Sequence, residues 1–180
     1  MISLSALRSF GGVRNRLRSV LGFENNLYEY VARLDKKGDV TFMNFGYAVL
    51  DGSESEPALA PGDEQNRYCI QLYHQLVAAA RTDAVSGKKV LEIGCGRGGG
   101  ADYIARAFRP RQLIALDLTE GSIEFCKSRH QAPNLDFVRG DAQALPFADA
   151  EFDLVLGFTL LSSVTDEAAR RRVASEMARV

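Results

Sequence analysis

Nine consecutive residues, Glu92-Ile93-Gly94-Cys95-Gly96-Arg97-Gly98-Gly99-Gly100, contain five glycines. They separate an apolar run from an amphipathic one. Lys89 to Ile93 has the length and continuous apolarity of a buried strand, and Ala101 to Phe108 reads as a helix that stops before Pro110. Glycines gather at such a junction when the chain must turn sharply, visit positive φ and bring its backbone against something else. A strand, a glycine turn and a helix in this order open a doubly wound α/β sheet, and the turn then lies at the carboxyl edge of the sheet, where ligands bind.

The rest of the chain continues the alternation. Gln112 to Leu116 predicts a second strand, Ser122 to Arg129 a second helix, Leu135 to Val138 a third strand, Phe152 to Leu156 a fourth, and Asp166 to Val180 a helix with Ala169, Val173, Met177 and Val180 on one face. Right-handed crossovers then give a Rossmann-like parallel sheet with spatial order 3-2-1-4. Ahead of it, Asp63 can cap a helix running to about Arg81, with Cys69, Leu72, Tyr73, Leu76 and Ala80 as its apolar stripe. Residues 63–180 are thus expected to form the main domain and residues 1–62 a helical N-terminal extension. In that extension Leu4, Leu7, Val13, Leu17, Val20 and Leu21 recur at helical spacing with arginines between them. This basic amphipathic helix is read as a cap on the domain, or as a peripheral contact with a membrane surface. Lys36 to Gly62 is loop-like, yet Phe42-Met43-Asn44-Phe45-Gly46-Tyr47 is too apolar for a plain connector and either packs or lines a pocket.

Composition excludes several classes. The 180 residues are 46% hydrophobic and 25% charged, enough to bury a core, and no apolar run approaches the roughly 20 residues that cross a bilayer. The net charge of −1 is uneven: Arg8, Arg14, Arg16 and Arg18 precede any acid, and removing these 4 from the 22 basic residues leaves 18 against 23 acidic, or −5. The main body therefore lacks the basic field that nucleic acids require, and a small-molecule partner fits better. Cys69, Cys95 and Cys126 form no C-x-x-C pair and point to neither a disulfide framework nor a zinc site, so no metal is expected and a reducing cytoplasm is the default.

Taken alone, the glycine run is ambiguous. Gly94, Gly96 and Gly99 also satisfy the G-x-G-x-x-G pattern of dinucleotide enzymes, and Asp117 at the end of the second strand would hold ribose hydroxyls in either case. Further pieces narrow the choice. Glu92 puts a carboxylate at the strand tip, where a cationic amine or sulfonium would be welcome. Gly140-Asp141-Ala142 follows the third strand, and Leu145-Pro146-Phe147 then Phe152-Asp153-Leu154-Val155-Leu156 come after it.

This ordered set, over about residues 88 to 180, resembles the class I S-adenosylmethionine-dependent methyltransferases. The resemblance implies S-adenosylmethionine as cofactor. It places Glu92, Gly94, Cys95, Gly96 and Gly98 under the methionine and ribose parts, Asp117 with Leu118 at the ribose, Asp141 with Ala142 at the adenine, and Phe158 with Thr159 between cofactor and acceptor. More narrowly, Asn44-Phe45-Gly46-Tyr47, Asn66-Arg67, Leu72-Tyr73-His74, Gly98-Gly99-Gly100 and Cys126-Lys127-Ser128-Arg129-His130 look like the phthiotriolone dimycocerosate-type O-methyltransferases. That implies methylation of a hydroxyl on a small, polyketide- or lipid-like acceptor. A nicotinamide-dependent oxidoreductase and a non-catalytic module on the same fold are the alternatives.

Of the two histidines, His74 is the candidate general base, because it lies beside the apolar stripe of the helix before the glycine loop, whereas His130 ends a charged helix and is expected to be solvated. Related enzymes often carry a histidine shortly after the fourth strand, where this chain reads Leu160-Leu161-Ser162-Ser163. Cys95 is read as a small filler between glycines. The family continues past its fourth-strand helix with three further strands, so a chain ending at Val180 is expected to be a C-terminally truncated fragment.

Overall fold

The computed structural model describes residues 34–35, 37–49, 56–80 and 85–180. The basic amphipathic helix expected within residues 1–23 lies outside the described residues. Two compact units are present, Met1–Asp39 and Val40–Val180. In the first, the Asp35 carbonyl accepts from the Gly38 N–H and the Asp35 carboxylate from the Asp39 N–H, closing a tight turn.

The second unit is built on a four-stranded parallel sheet of order β3-β2-β1-β4. Its strands are β1 (Lys89–Ile93), β2 (Gln112–Asp117), β3 (Leu135–Arg139) and β4 (Leu154–Leu156). β1 pairs in parallel with β2, Leu91 opposite Ile114, and with β4, Leu91 opposite Val155. β2 pairs likewise with β3. The expected order and parallel sense are therefore found. The helices are α1 (Arg67–Ala79, entered through a 3-10 turn at Glu64–Asn66), α2 (Gly99–Ala107), α3 (Glu120–Arg129), α4 (Leu160–Ser163) and α5 (Glu167–Arg179). None among the described residues is long and apolar enough to cross a membrane.

Because side chains alternate along a strand, each face of the sheet needs its own cover. On one face Val90, Leu113, Ala115 and Phe137 meet Ile70 and Val77 of α1, Ile104 of α2 and Ile123 of α3. On the other, Leu91, Ile93, Ile114 and Leu116 meet Leu145, Met177 and Val180. The Asp166 carboxylate caps α5 by accepting the Ala169 N–H at 2.7 Å.

Three local expectations need correction. The buried face of α1 is Ile70, Tyr73 and Val77, whereas Leu76 from the expected stripe is 46% exposed. The expected stripe and the docked face share Tyr73, and the docked face also buries Gln71. β4 starts at Leu154 rather than Phe152, because the Phe152 N–H is taken by the Val180 carbonyl. The turn α4 after β4 was not expected, since Leu160-Leu161-Ser162-Ser163 is too short to show a period.

Candidate functional site

The carboxyl ends of all four strands open on one edge. At its centre, the Gly94 and Cys95 N–H groups both donate to the Leu116 carbonyl, at 2.7 and 3.1 Å, and tie the glycine loop to the end of β2. The Asp117 carboxylate reinforces this: Oδ2 accepts the Gly96 N–H at 2.9 Å and Oδ1 accepts the Thr119 N–H at 2.9 Å. Gly98 enters α2 with φ of 78°, a left-handed conformation that favours glycine. Leu118, next along, is 56% exposed at the rim. After β3, the exposed Asp141 organises its own turn by accepting the Gln143 N–H at 2.8 Å, with Ala142 half-buried beside it. After β4, Phe158 is buried and Thr159 adopts φ of 56°. A β-branched residue held there is a strained conformation of the kind that gathers at ligand sites.

Glu92 sits beneath the loop and is fully buried. Its Oε1 accepts from the Tyr73 hydroxyl at 3.0 Å, and its Oε2 is without a hydrogen-bond partner among the described residues. Burial pushes this carboxyl up to about 7; the Tyr73 hydrogen bond pulls it down and nearby Asp117 pushes it up. Cys95 lies at the same depth, and its hydrogen bond with Cys126, followed by burial, pushes the thiol well above its ordinary value. It is therefore a protonated filler and no nucleophile.

The segment at residues 40–43 closes over the loop. The Thr41 carbonyl accepts the Gly99 N–H at 3.0 Å, Arg97 Nε donates to the Val40 carbonyl, and Met43 lies over Gly96. The Arg97 guanidinium stacks on Phe125, 3.6 Å from the ring centroid. Phe42 thus packs, whereas Phe45 of the same apolar run is fully exposed.

The two histidines lie elsewhere. His74 Nδ1 is 2.8 Å from the Tyr103 hydroxyl, and its ring packs 5.6 Å from that of Phe108. Both partners lie along α2, Tyr103 one turn past Gly99 and Phe108 at its end, so His74 faces that helix and not the loop backbone itself. Burial lowers its imidazole below the ordinary value. His130 is not solvated as expected: its side chain is 7% exposed, and Nε2 is paired at 2.9 Å with the Arg97 carbonyl under the loop. Sequence reasoning named the Phe42-Met43 run as packing or pocket-lining and Tyr73 as part of a helix stripe, but overlooked Thr41 and the arrival of Tyr73 at this edge. The one available signal was Gly100, a glycine inside a helix with no turn to make.

A parallel sheet with its glycine turn, its strand-end acids and helices on both faces defines the Rossmann-like class of nucleotide-cofactor folds. Residues 90–180 match the family described as a methyltransferase domain, half of the chain, and the chain belongs to that family, as the resemblance to class I S-adenosylmethionine-dependent methyltransferases implied. It is 51% identical over 134 residues to the fatty-acid O-methyltransferase of Mycolicibacterium smegmatis, covering 72% of this chain and 46% of that protein. With the phthiotriol/phenolphthiotriol dimycocerosates methyltransferase of Mycobacterium tuberculosis it shares 45% identity over 118 residues, 66% of this chain and 42% of that one. The chain thus spans under half the length of these curated relatives. The crystal structure of the [4+2]-cyclase SpnF superposes with a TM-score of 0.65 at 22% identity, over 86% of this chain and 54% of that chain, which speaks to the fold alone.

Proposed function

We propose that the protein binds S-adenosylmethionine at this edge and serves methyl transfer to an oxygen of a lipid-like acceptor. The observation that carries the reading is Glu92, a buried carboxylate at the strand tip with one oxygen lacking a partner among the described residues, beside a glycine cradle. An unpaired buried acid is costly, and a cationic ligand offsets that cost. When bound, the cofactor would supply a methyl group on a cationic sulfonium for in-line transfer to the acceptor oxygen, an ionised carboxylate needing to lose no proton.

The residues of this chain bind, orient and shelter. Gly94, Cys95, Gly96 and Gly98 provide the cradle, Asp117 and Leu118 the ribose side, Asp141 and Ala142 the adenine side, and Phe158 and Thr159 the border with the acceptor. The dinucleotide alternative is disfavoured by Thr41. A dinucleotide pyrophosphate takes the N–H groups at the start of the helix after the glycine loop, and here the Gly99 N–H already donates to the Thr41 carbonyl.

Two relatives whose names specify lipid acceptors support a lipid-like substrate. So does apolar surface next to residues 40–43: Phe45 is fully exposed, and Tyr68, whose carbonyl accepts the Tyr47 N–H, is 61% exposed. The acceptor oxygen is read as a hydroxyl or a carboxylate. The carboxylate is favoured because it is ionised at neutral pH and needs no base, and both histidines are committed, His74 to Tyr103 and His130 to Arg97. The acidic body argues for a small acceptor over nucleic acid, and three free thiols fit a cytoplasmic setting.

The test is calorimetry with S-adenosylhomocysteine and with NAD, followed by transfer of labelled methyl to a long-chain fatty acid and to the matching alcohol. Binding of the first ligand alone and labelling of the acid are expected. NAD binding without S-adenosylhomocysteine binding would replace this reading by the oxidoreductase one. His74→Ala should retain labelling of the acid; loss of labelling in a folded variant would restore His74 as the base.

A further inference from the structure

We propose that Tyr73 is a positioning residue of the cofactor site: its hydroxyl ties down one oxygen of the Glu92 carboxylate and leaves the other for the cationic part of the cofactor. This rests on the cofactor reading above.

The geometry is specific. Tyr73 reaches Glu92 from α1 by passing the start of α2, where a Cβ on Gly100 would lie 1.9 Å from the Tyr73 Cζ. Any side chain at position 100 would collide with that ring. The ring is held on two further sides, by Phe158 at 4.1 Å between centroids and by Phe42 at 6.0 Å. These neighbours belong to the segments after β4 and before α1 that border the site. The hydroxyl therefore has one direction to point, toward Glu92 Oε1 at 3.0 Å. Burial and the neighbouring Glu92 push the phenol well above its ordinary value, so it remains a donor across the working range of pH. A carboxylate held at one oxygen presents the other in a fixed direction, and ordering it on binding then costs little.

The charged and titratable groups facing Glu92 are Tyr73 from α1, Cys95 from the loop and Asp117 from β2. β4 presents Leu156 opposite Glu92 and adds no charge. With Glu92 titrating near 7, a bound cation must expel its proton at lower pH. Affinity should then fall about tenfold per pH unit below that value and level off above it. Without the Tyr73 hydroxyl, the interaction that lowers Glu92 is lost and the break moves to higher pH.

The experiment is calorimetry of S-adenosylhomocysteine, which carries the ammonium group, from about pH 5.5 to about pH 8.5 in buffers of different ionisation enthalpy. Wild-type protein is expected to release a proton on binding below the break. Tyr73→Phe keeps the ring and should bind about tenfold more weakly near neutrality, with its break displaced upward. Glu92→Gln should bind without proton release. A tyrosine that merely fills space would weaken binding evenly, and an unmoved break in Tyr73→Phe overturns the proposal. If that variant does not fold, Glu92→Gln decides, since retained proton release there overturns it equally. Absence of any binding to wild-type protein overturns the cofactor reading, and this inference with it.

Discussion

Asp117 shows how one side chain serves scaffold and ligand together. Its two oxygens already accept the Gly96 and Thr119 N–H groups, yet a carboxylate has about four acceptor sites, so each oxygen keeps a lone pair for a hydroxyl. Asp117→Ala should therefore weaken S-adenosylhomocysteine binding by about 1.5 to 3 kcal/mol, roughly 10- to 100-fold, in calorimetry. Unchanged affinity would remove Asp117 from the site. Gly100 is constrained by space rather than by φ. A methyl group there meets Tyr73 well inside contact distance, so Gly100→Ala should lower stability in urea melts by about 1 to 3 kcal/mol. A neutral outcome would mean that Tyr73 can move aside at no cost.

Among the elements, α5 does more than cover the sheet, because it pins the chain between β3 and β4. Glu176 Oε2 accepts the Leu145 N–H at 2.7 Å, while Arg179 donates to the Phe147 and Leu145 carbonyls and pairs with Glu176 and Asp149. The Arg179 hydrogen bond, with that of Leu145, lowers the Glu176 carboxyl to about 2 from its ordinary 4.5. A folded-state value below the unfolded one stabilises the protein above about 4.5, and this contribution is lost as pH falls toward about 2. Denaturant melts across that window should show stability dropping with acidity. Glu176→Gln should remove part of that slope, and an identical slope in the variant would show that Glu176 does not contribute to it.

Across the molecule, β3 and β4 are the two edge strands, and β4 is the one that carries no charged residue. Among the described residues no strand pairs with its outer edge, and Leu154, Val155 and Leu156 are each only half-buried. Open edges template further pairing, and half-wet leucines favour it. The 180-residue polypeptide should therefore self-associate with rising concentration in sedimentation experiments. A monomer at every concentration would mean that this edge is already protected. The fold alone does not choose the reaction, since a [4+2]-cyclase shares it. The choice rests on the residues at the carboxyl edge.

The strands, their order in the sheet and the strand-end acids are legible in the sequence, apart from the start of β4, because apolar runs, glycines and acids are marked by their neighbours in sequence. Apolar runs mark buried parallel strands, glycines mark the turn, and right-handed crossovers leave one order for four such strands. What could not be read was convergence. Tyr73, Glu92, Gly100 and Phe158 meet from four segments, and no local period distinguishes Tyr73 from the other apolar residues of α1. The same limit hid Ile70 and Val77 from the expected stripe of that helix, which shared only Tyr73 with the buried face, and left His130 looking solvated when it lies under the loop. Burial of a helix face, and the upward shift of a carboxyl beneath it, arise only when distant segments exclude water from the same place, and that is a property of packing rather than of sequence neighbours.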